Sequence, residues 1–88
     1  MIRMSFESAL RHKEYAFIKF KQTFGHRYES QTYHLLDFDR FCLAEFPDSD
    51  KLTEEMVMKW AVIKQTENSN GYISRISVVR QFGKYLSM

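Results

Sequence analysis

Helix-breaking residues are scarce in this chain, and that limits its fold more than any other feature. Gly25, Gly71 and Gly83 are its only glycines, and Pro47 is its only proline. Strands joined by tight turns consume such residues at short intervals, whereas a few long helices need little punctuation. Between the breaks, apolar residues recur at helical spacing. The composition is 44% hydrophobic, with eight Phe, five Tyr and one Trp, which is enough for a packed core and argues against disorder. At 88 residues the chain holds one domain at most. The expected fold is all-α, a compact four-helix bundle.

The spacing predicts a first helix from about Ser5 to Phe24, with Phe6, Leu10, Phe17 and Phe24 on one face and Gly25 directly after its end. A second helix is expected from Ser30 as N-cap to about Phe46, with Leu35, Phe38, Cys42 and Phe46 as its stripe and Pro47 as its stop. The third has Thr53 as N-cap, Glu54 and Glu55 in the first turn, and Leu52 and Val57 placed as a hydrophobic staple; Met56, Trp60 and Ile63 face inward. The fourth starts near Asn70, with Tyr72, Ile76, Val79, Phe82, Gly83 and Leu86 inward and Ser74, Ser77, Gln81 and Lys84 opposite.

The net charge of +2 conceals a segregated pattern. Residues 1–27 hold six basic and two acidic side chains, residues 28–67 hold four and nine, and residues 68–88 hold three and none. Two basic ends around an acidic middle make one basic face if the ends fold together; the plainer reading is a set of ordinary solvated helix faces. Cys42 is alone, which excludes an intrachain disulfide and suits a reducing compartment. No apolar run has the length of a signal peptide or the ~18 residues of a membrane span, so the expected location is cytoplasmic with no membrane contact.

No constellation for catalysis or metal binding stands out. His12, His26 and His34 are never three or four residues apart, so no helix displays a metal-binding pair. The stretch DSDKLTEE fails as a calcium loop, because Leu52 and Thr53 occupy the positions that need a ligand and a glycine. Asp37 and Asp39 point to different sides of their helix. Cys42 falls on an apolar stripe, as an inert thiol does. No catalytic residue, cofactor or metal is expected in this chain. Small polar residues open the second and fourth helices, in ESQTY and NSNGYIS, where free backbone N–H groups suit phosphates. Arg27, Arg75, Arg80 and Lys84 lie in or near those elements, and Tyr28, Gln31, Asn70 and Tyr72 are residue types that reach phosphates or base edges.

Four motifs occur in an order that resembles the N-terminal core-binding domain of tyrosine recombinases, the phage-integrase family. They are Gly25 with Tyr28 after the first helix; Leu35, Phe38 and Phe41 in the second; Leu52, Thr53, Glu55 and Trp60 in the third; and Arg75, Ile76, Val79, Arg80, Phe82, Tyr85 and Leu86 in the last. The resemblance spans about residues 13 to 86. It implies a SAM-like bundle that binds double-stranded DNA at recombination core sites as half of a clamp. Its partners would be a catalytic domain of the same parent chain, lying C-terminal, and other recombinase protomers in a synaptic tetramer. Carried over, the DNA-facing positions are Arg27, Tyr28, Ser30, Gln31, Asn70, Tyr72, Ser74 and Arg75. Tyr72 departs from the family, which often has a small Thr or Ser there. The family's catalytic His-x-x-Arg is missing, so residues 1–88 read as one DNA-binding domain of a longer recombinase. The alternative is a helical protein–protein interaction module without DNA binding, with Ile2 and Phe6 as apolar residues for subunit contacts.

Overall fold

A computed structural model describes residues 5–62 and 69–87, with the side chains of Ser69 and Asn70 also outside the described set. It contains four helices: α1, Arg11–Thr23; α2, Glu29–Glu45; α3, Glu54–Ala61; and α4, Ser69–Leu86. Among the described residues there is no strand, and no helix is long and apolar enough to cross a membrane. Helices α2 and α4 each pack against the other three and form the middle of the bundle. Ile63, expected to face inward, lies outside the described residues.

α1 starts at Arg11, six residues later than the spacing predicts. Contacts far along the chain take the place of the missing helical turns. The Glu7 and Ser8 amides donate to the two carboxylate oxygens of Asp39 on α2, at 2.8 and 3.1 Å, and the Phe6 amide donates to the Tyr15 hydroxyl at 3.0 Å. Phe6 and Leu10 are nonetheless buried, so their apolar character is used by an irregular segment rather than a helix. Burial also removes Phe6 as a residue for subunit contacts.

The end of α1 is a Schellman turn. The His26 amide donates to the Lys21 carbonyl and the Gly25 amide to the Gln22 carbonyl, with Gly25 at φ +89°. That turn throws Phe24 out of the predicted stripe, and it is 69% exposed. The α2 N-cap is Tyr28 rather than Ser30, and Tyr28 adopts φ 60°, ψ 30°. The left-handed region is uncommon for a bulky residue. Here the ring is anchored edge-on to Phe17, 5.6 Å between centroids, and Thr32 returns its hydroxyl to the Tyr28 carbonyl. Ser30 therefore falls within the first turn.

The signals for α2 and α3 hold in large part, and those for α4 only in part. Leu35, Phe38 and Cys42 are fully buried, and α2 ends before Pro47. Thr53 caps α3 by accepting from the Met56 amide at 3.3 Å, and Met56 and Trp60 point inward. In α4 the buried face consists of Arg75, Val78, Val79 and Phe82, with Ile76, Gly83 and Leu86 half-buried beside it. Tyr72, expected inside, is 45% exposed. The inward face is thus rotated by roughly 50–60° from the predicted one at 100° per residue.

One buried cluster is polar. Ser8 donates to Glu14 Oε1 at 3.2 Å, and Glu14 lies fully buried beside Asp39. Burial, reinforced by the Asp39 carboxylate, pushes the Glu14 pKa from 4.5 to about 10, so the side chain is neutral at pH 7. For Asp39, burial alone would raise the pKa; the protonated Glu14 carboxyl, Ser8 and the Glu7 and Ser8 amides outweigh it, and the net direction is down. The two acids oppose each other in the pH dependence of folding. Glu14 binds its proton more tightly when folded, so its contribution is complete below 4.5 and is lost as pH rises toward about 10. Asp39 contributes above its ordinary 3.8, and that part is lost as pH falls through its lowered value. Thermal melts are therefore expected to show stability declining from about pH 5 to about pH 9. Glu14→Gln, which keeps the acceptor for Ser8, should flatten the decline. It should also raise the melting midpoint in mild base by ~4–8 °C for each kcal/mol recovered. A decline unchanged in the variant would place the effect on another group.

Candidate nucleic-acid interface

The α1–α2 connection is fixed from both sides. The Schellman turn releases His26 and Arg27 from α1, and the buried Tyr28 ring pins the chain directly after them. Arg27 is exposed, and its carbonyl accepts from Gln22 Nε2 at 3.4 Å. Lys21 Nζ lies 5.8 Å from the centroids of both Phe17 and Tyr28, within cation–π range. No side chain caps the first amides of α2. Ser30 and Gln31 are exposed in that first turn. Tyr28 is inside; its hydroxyl donates to Gln81 Oε1 of α4 at 3.4 Å, and burial raises its pKa.

Shared residues join three depressions into one strip along the outer side of α4. The first is lined by Lys21, His26, Arg27, Ser30 and Gln31, with Gln81 from α4 and Glu29 as its carboxylate. The second runs from Tyr72 and Ile73 past Ile76 to Arg80, Gln81 and Lys84. The third lies between the start of α3 and the end of α4, where Arg80 and Lys84 share the lining with Lys13 and Lys51. Lysines and arginines from both basic ends of the sequence therefore meet on one side. Among the described residues, no group of His, Cys, Asp or Glu is placed to hold a metal ion.

The eight positions expected to face DNA divide. Arg27, Ser30 and Gln31 surround the first depression and are exposed. Tyr28 lines it from a buried position. Tyr72 and Ser74 are exposed on α4, and the Asn70 side chain lies outside the described residues. The start of α2 meets Gln81 rather than the start of α4. Ser74 and Gln81 are seven residues apart, about 10 Å along a helix.

Arg75 is a correction. It is 1% exposed, with its guanidinium 4.4 Å from the Trp60 ring centroid. It donates to the Trp60 carbonyl at 3.1 Å and the Ala61 carbonyl at 3.2 Å. These are the last carbonyls of α3, at the negative end of the helix dipole, and the Trp60 carbonyl also accepts from the Val62 amide. An arginine that meets them from a buried position is a structural cap, turned away from any phosphate at the surface. Lys21 and Gln81 were not singled out in the sequence, and Arg80 and Lys84, noted there as basic residues near these elements, were not among the eight DNA-facing positions. Arg80 and Lys84 carry a signal, an i, i+4 basic pair away from the apolar face; the role of Gln81 depends on the position of Tyr28 and has none.

Comparison with models of known families, with curated proteins and with solved structures finds no significant match to this chain.

Arg75→Ala is expected to destabilise the fold rather than act on a binding surface. It removes a stacked, buried cation and leaves two helix-end carbonyls without these donors, a cost on the order of 2–4 kcal/mol. Arg27→Ala, at an exposed position, should stay within about 0.5 kcal/mol of the parent. Urea unfolding of the two variants checks both, and equal stabilities would contradict the capping role.

Proposed function

We propose that this domain binds duplex DNA through the strip of Lys21, Arg27, Arg80 and Lys84, with Ser30, Gln31 and Gln81 between them. The observation that carries the reading is the meeting of cations from both ends of the sequence on one surface, while Asp39 and Glu14 are folded inside. Lysine and arginine contacts to phosphates supply most of the affinity of such a surface and fix its register on the duplex. Uncapped amides at the start of α2 add donors of the kind that favour a phosphate. Glu29, at the same edge, limits how closely a second phosphate approaches and favours one orientation.

The resemblance to the core-binding domain of tyrosine recombinases gives this activity a setting. On that reading the bundle is SAM-like, and it forms half of a clamp with a catalytic domain of the same parent chain. Other protomers then join it at the recombination site. Arg75 serves by holding α4 at the rotation that turns Arg80 and Lys84 outward.

An isolated half-clamp with four phosphate-neutralising cations is expected to bind with a Kd of ~10⁻⁴–10⁻⁶ M. The slope of log K against log salt should be no steeper than about −3.6. Arg27→Ala, Arg80→Ala and Lys84→Ala should each reduce that slope by about 1 without unfolding the domain. Fluorescence anisotropy with a labelled duplex at several salt concentrations measures the Kd and each of these slopes. A slope that ignores these substitutions would reject the strip, and the absence of salt-dependent association would reject DNA binding.

A further inference from the structure

The third depression differs in kind from the other two. It is the largest, about 780 Å³ against about 450 and 380 Å³ for its neighbours, and it has an apolar floor. Leu52 and Val57 supply that floor from the α3 side, Val79 and Leu86 from the α4 side. Lys51, Arg80 and Lys84 stand exposed around it, and Lys13 joins them while donating to the Asp50 carbonyl. Glu54 is the carboxylate in the lining. Phosphates need the cations but make no use of aliphatic side chains beneath them.

Gly83 adds a second observation. It sits inside α4, where glycine costs about 1 kcal/mol relative to alanine. Packing does not demand it, since an added Cβ would meet nothing closer than Leu52 Cδ2 at 3.5 Å, an ordinary contact. The missing side chain keeps open the floor between Leu52 and Leu86.

We infer that the groove between the start of α3 and the end of α4 docks a short acidic–apolar segment of a partner protein. Leucine-like side chains of the segment cover the aliphatic floor, and its carboxylates meet Lys51, Arg80 and Lys84. Charge complementarity selects the occupant: three exposed cations and Lys13 face a single Glu54. A groove open to solvent fits a peptide that lies across it better than an enclosed small ligand. This goes beyond the DNA-binding reading and does not require it, although Arg80 and Lys84 border both surfaces and so make the two ligands competitors at that edge.

The test is an NMR titration of the whole chain with three labelled ten-residue peptides. One alternates Leu with Glu, one replaces each Leu by Ser, and one replaces each Glu by Gln. The acidic–apolar peptide is expected to saturate, with shifts at Leu52, Val57, Val79 and Gly83, and to bind at least about tenfold more tightly than either control. Gly83→Met fills the floor while improving helix propensity, and Lys51→Glu reverses one rim charge. Each should weaken the acidic–apolar peptide by about tenfold or more, with Gly83→Met leaving duplex DNA binding within about twofold. Equal affinity of the Leu-free peptide, undiminished binding by Gly83→Met, shifts confined to other surfaces, or tighter binding of decanoate than of the peptide would each overturn the assignment. Loss of DNA binding in Arg27→Ala, or its absence altogether, bears only on the DNA reading, so the two can fail separately.

Discussion

The stacking of Arg75 on Trp60 sets the rotation of α4, and the distribution of surface charge follows from it. With Arg75 at the centre of the buried face, Phe82 lies about 20° away on the helical wheel and Val79 about 40°. Lys84 then lies about 180° away and Arg80 about 140°, both turned to solvent. A rotation that put Tyr72 inside would instead carry Arg75 toward the surface and draw Gln81 away from Tyr28. The guanidinium thus acts as the key that chooses between two amphipathic solutions of the same sequence. It can do so because its charge is met by helix-end carbonyls and an aromatic face rather than left in hydrocarbon.

The same device resolves the other buried charge with the sign reversed. Asp39 meets the amides of Glu7 and Ser8, just before the start of α1, as Arg75 meets the carbonyls at the end of α3. Backbone ends thus stand in for side-chain partners, avoiding the burial of an oppositely charged pair, which often fails to repay its desolvation. Glu14 has no such backbone donor and remains neutral instead. Its proximity, with that of Asp39, adds to the burial that pushes the Cys42 thiol to about 12, so the cysteine stays inert inside α2.

What the sequence disclosed was what local physics decides. Gly25 after α1, Pro47 after α2, and Thr53 before α3 act through hydrogen bonds within a few residues, and each is found in its expected place. The stripe Leu35, Phe38 and Cys42 depends only on helical period. The misses share the opposite property. The irregular path of residues 5–10 depends on Asp39, about thirty residues distant along the chain, and Tyr28 takes its left-handed conformation because Phe17 holds its ring. Carry-over from the family resemblance places Arg75 toward DNA; its place at the end of α3 emerges only once two helices are docked. For the candidate site, the sequence and the resemblance put Arg27, Ser30 and Gln31 together around the start of α2, and they do surround one depression there. The link through Gln81 that joins them to Arg80 and Lys84 was not legible, since it requires knowing which turn of α4 lies beside the start of α2.

That link rests on α1 as well as on the Arg75 cap of α3. The Phe17 ring touches Tyr28 at the start of α2, and Phe82 and Tyr85 near the end of α4, with centroids 5.6, 5.3 and 5.4 Å away. One aromatic cluster therefore holds the elements that carry Lys21, Arg27, Arg80 and Lys84. Aromatic rings with few rotamers and large contact area fix such spacing at low entropic cost. The basic strip thus depends on this cluster as well as on the Arg75 cap, while the aliphatic groove is shared between α3 and α4. The strip and the groove proposed above can share so small a domain because they draw on largely different side chains. They meet only at Arg80 and Lys84.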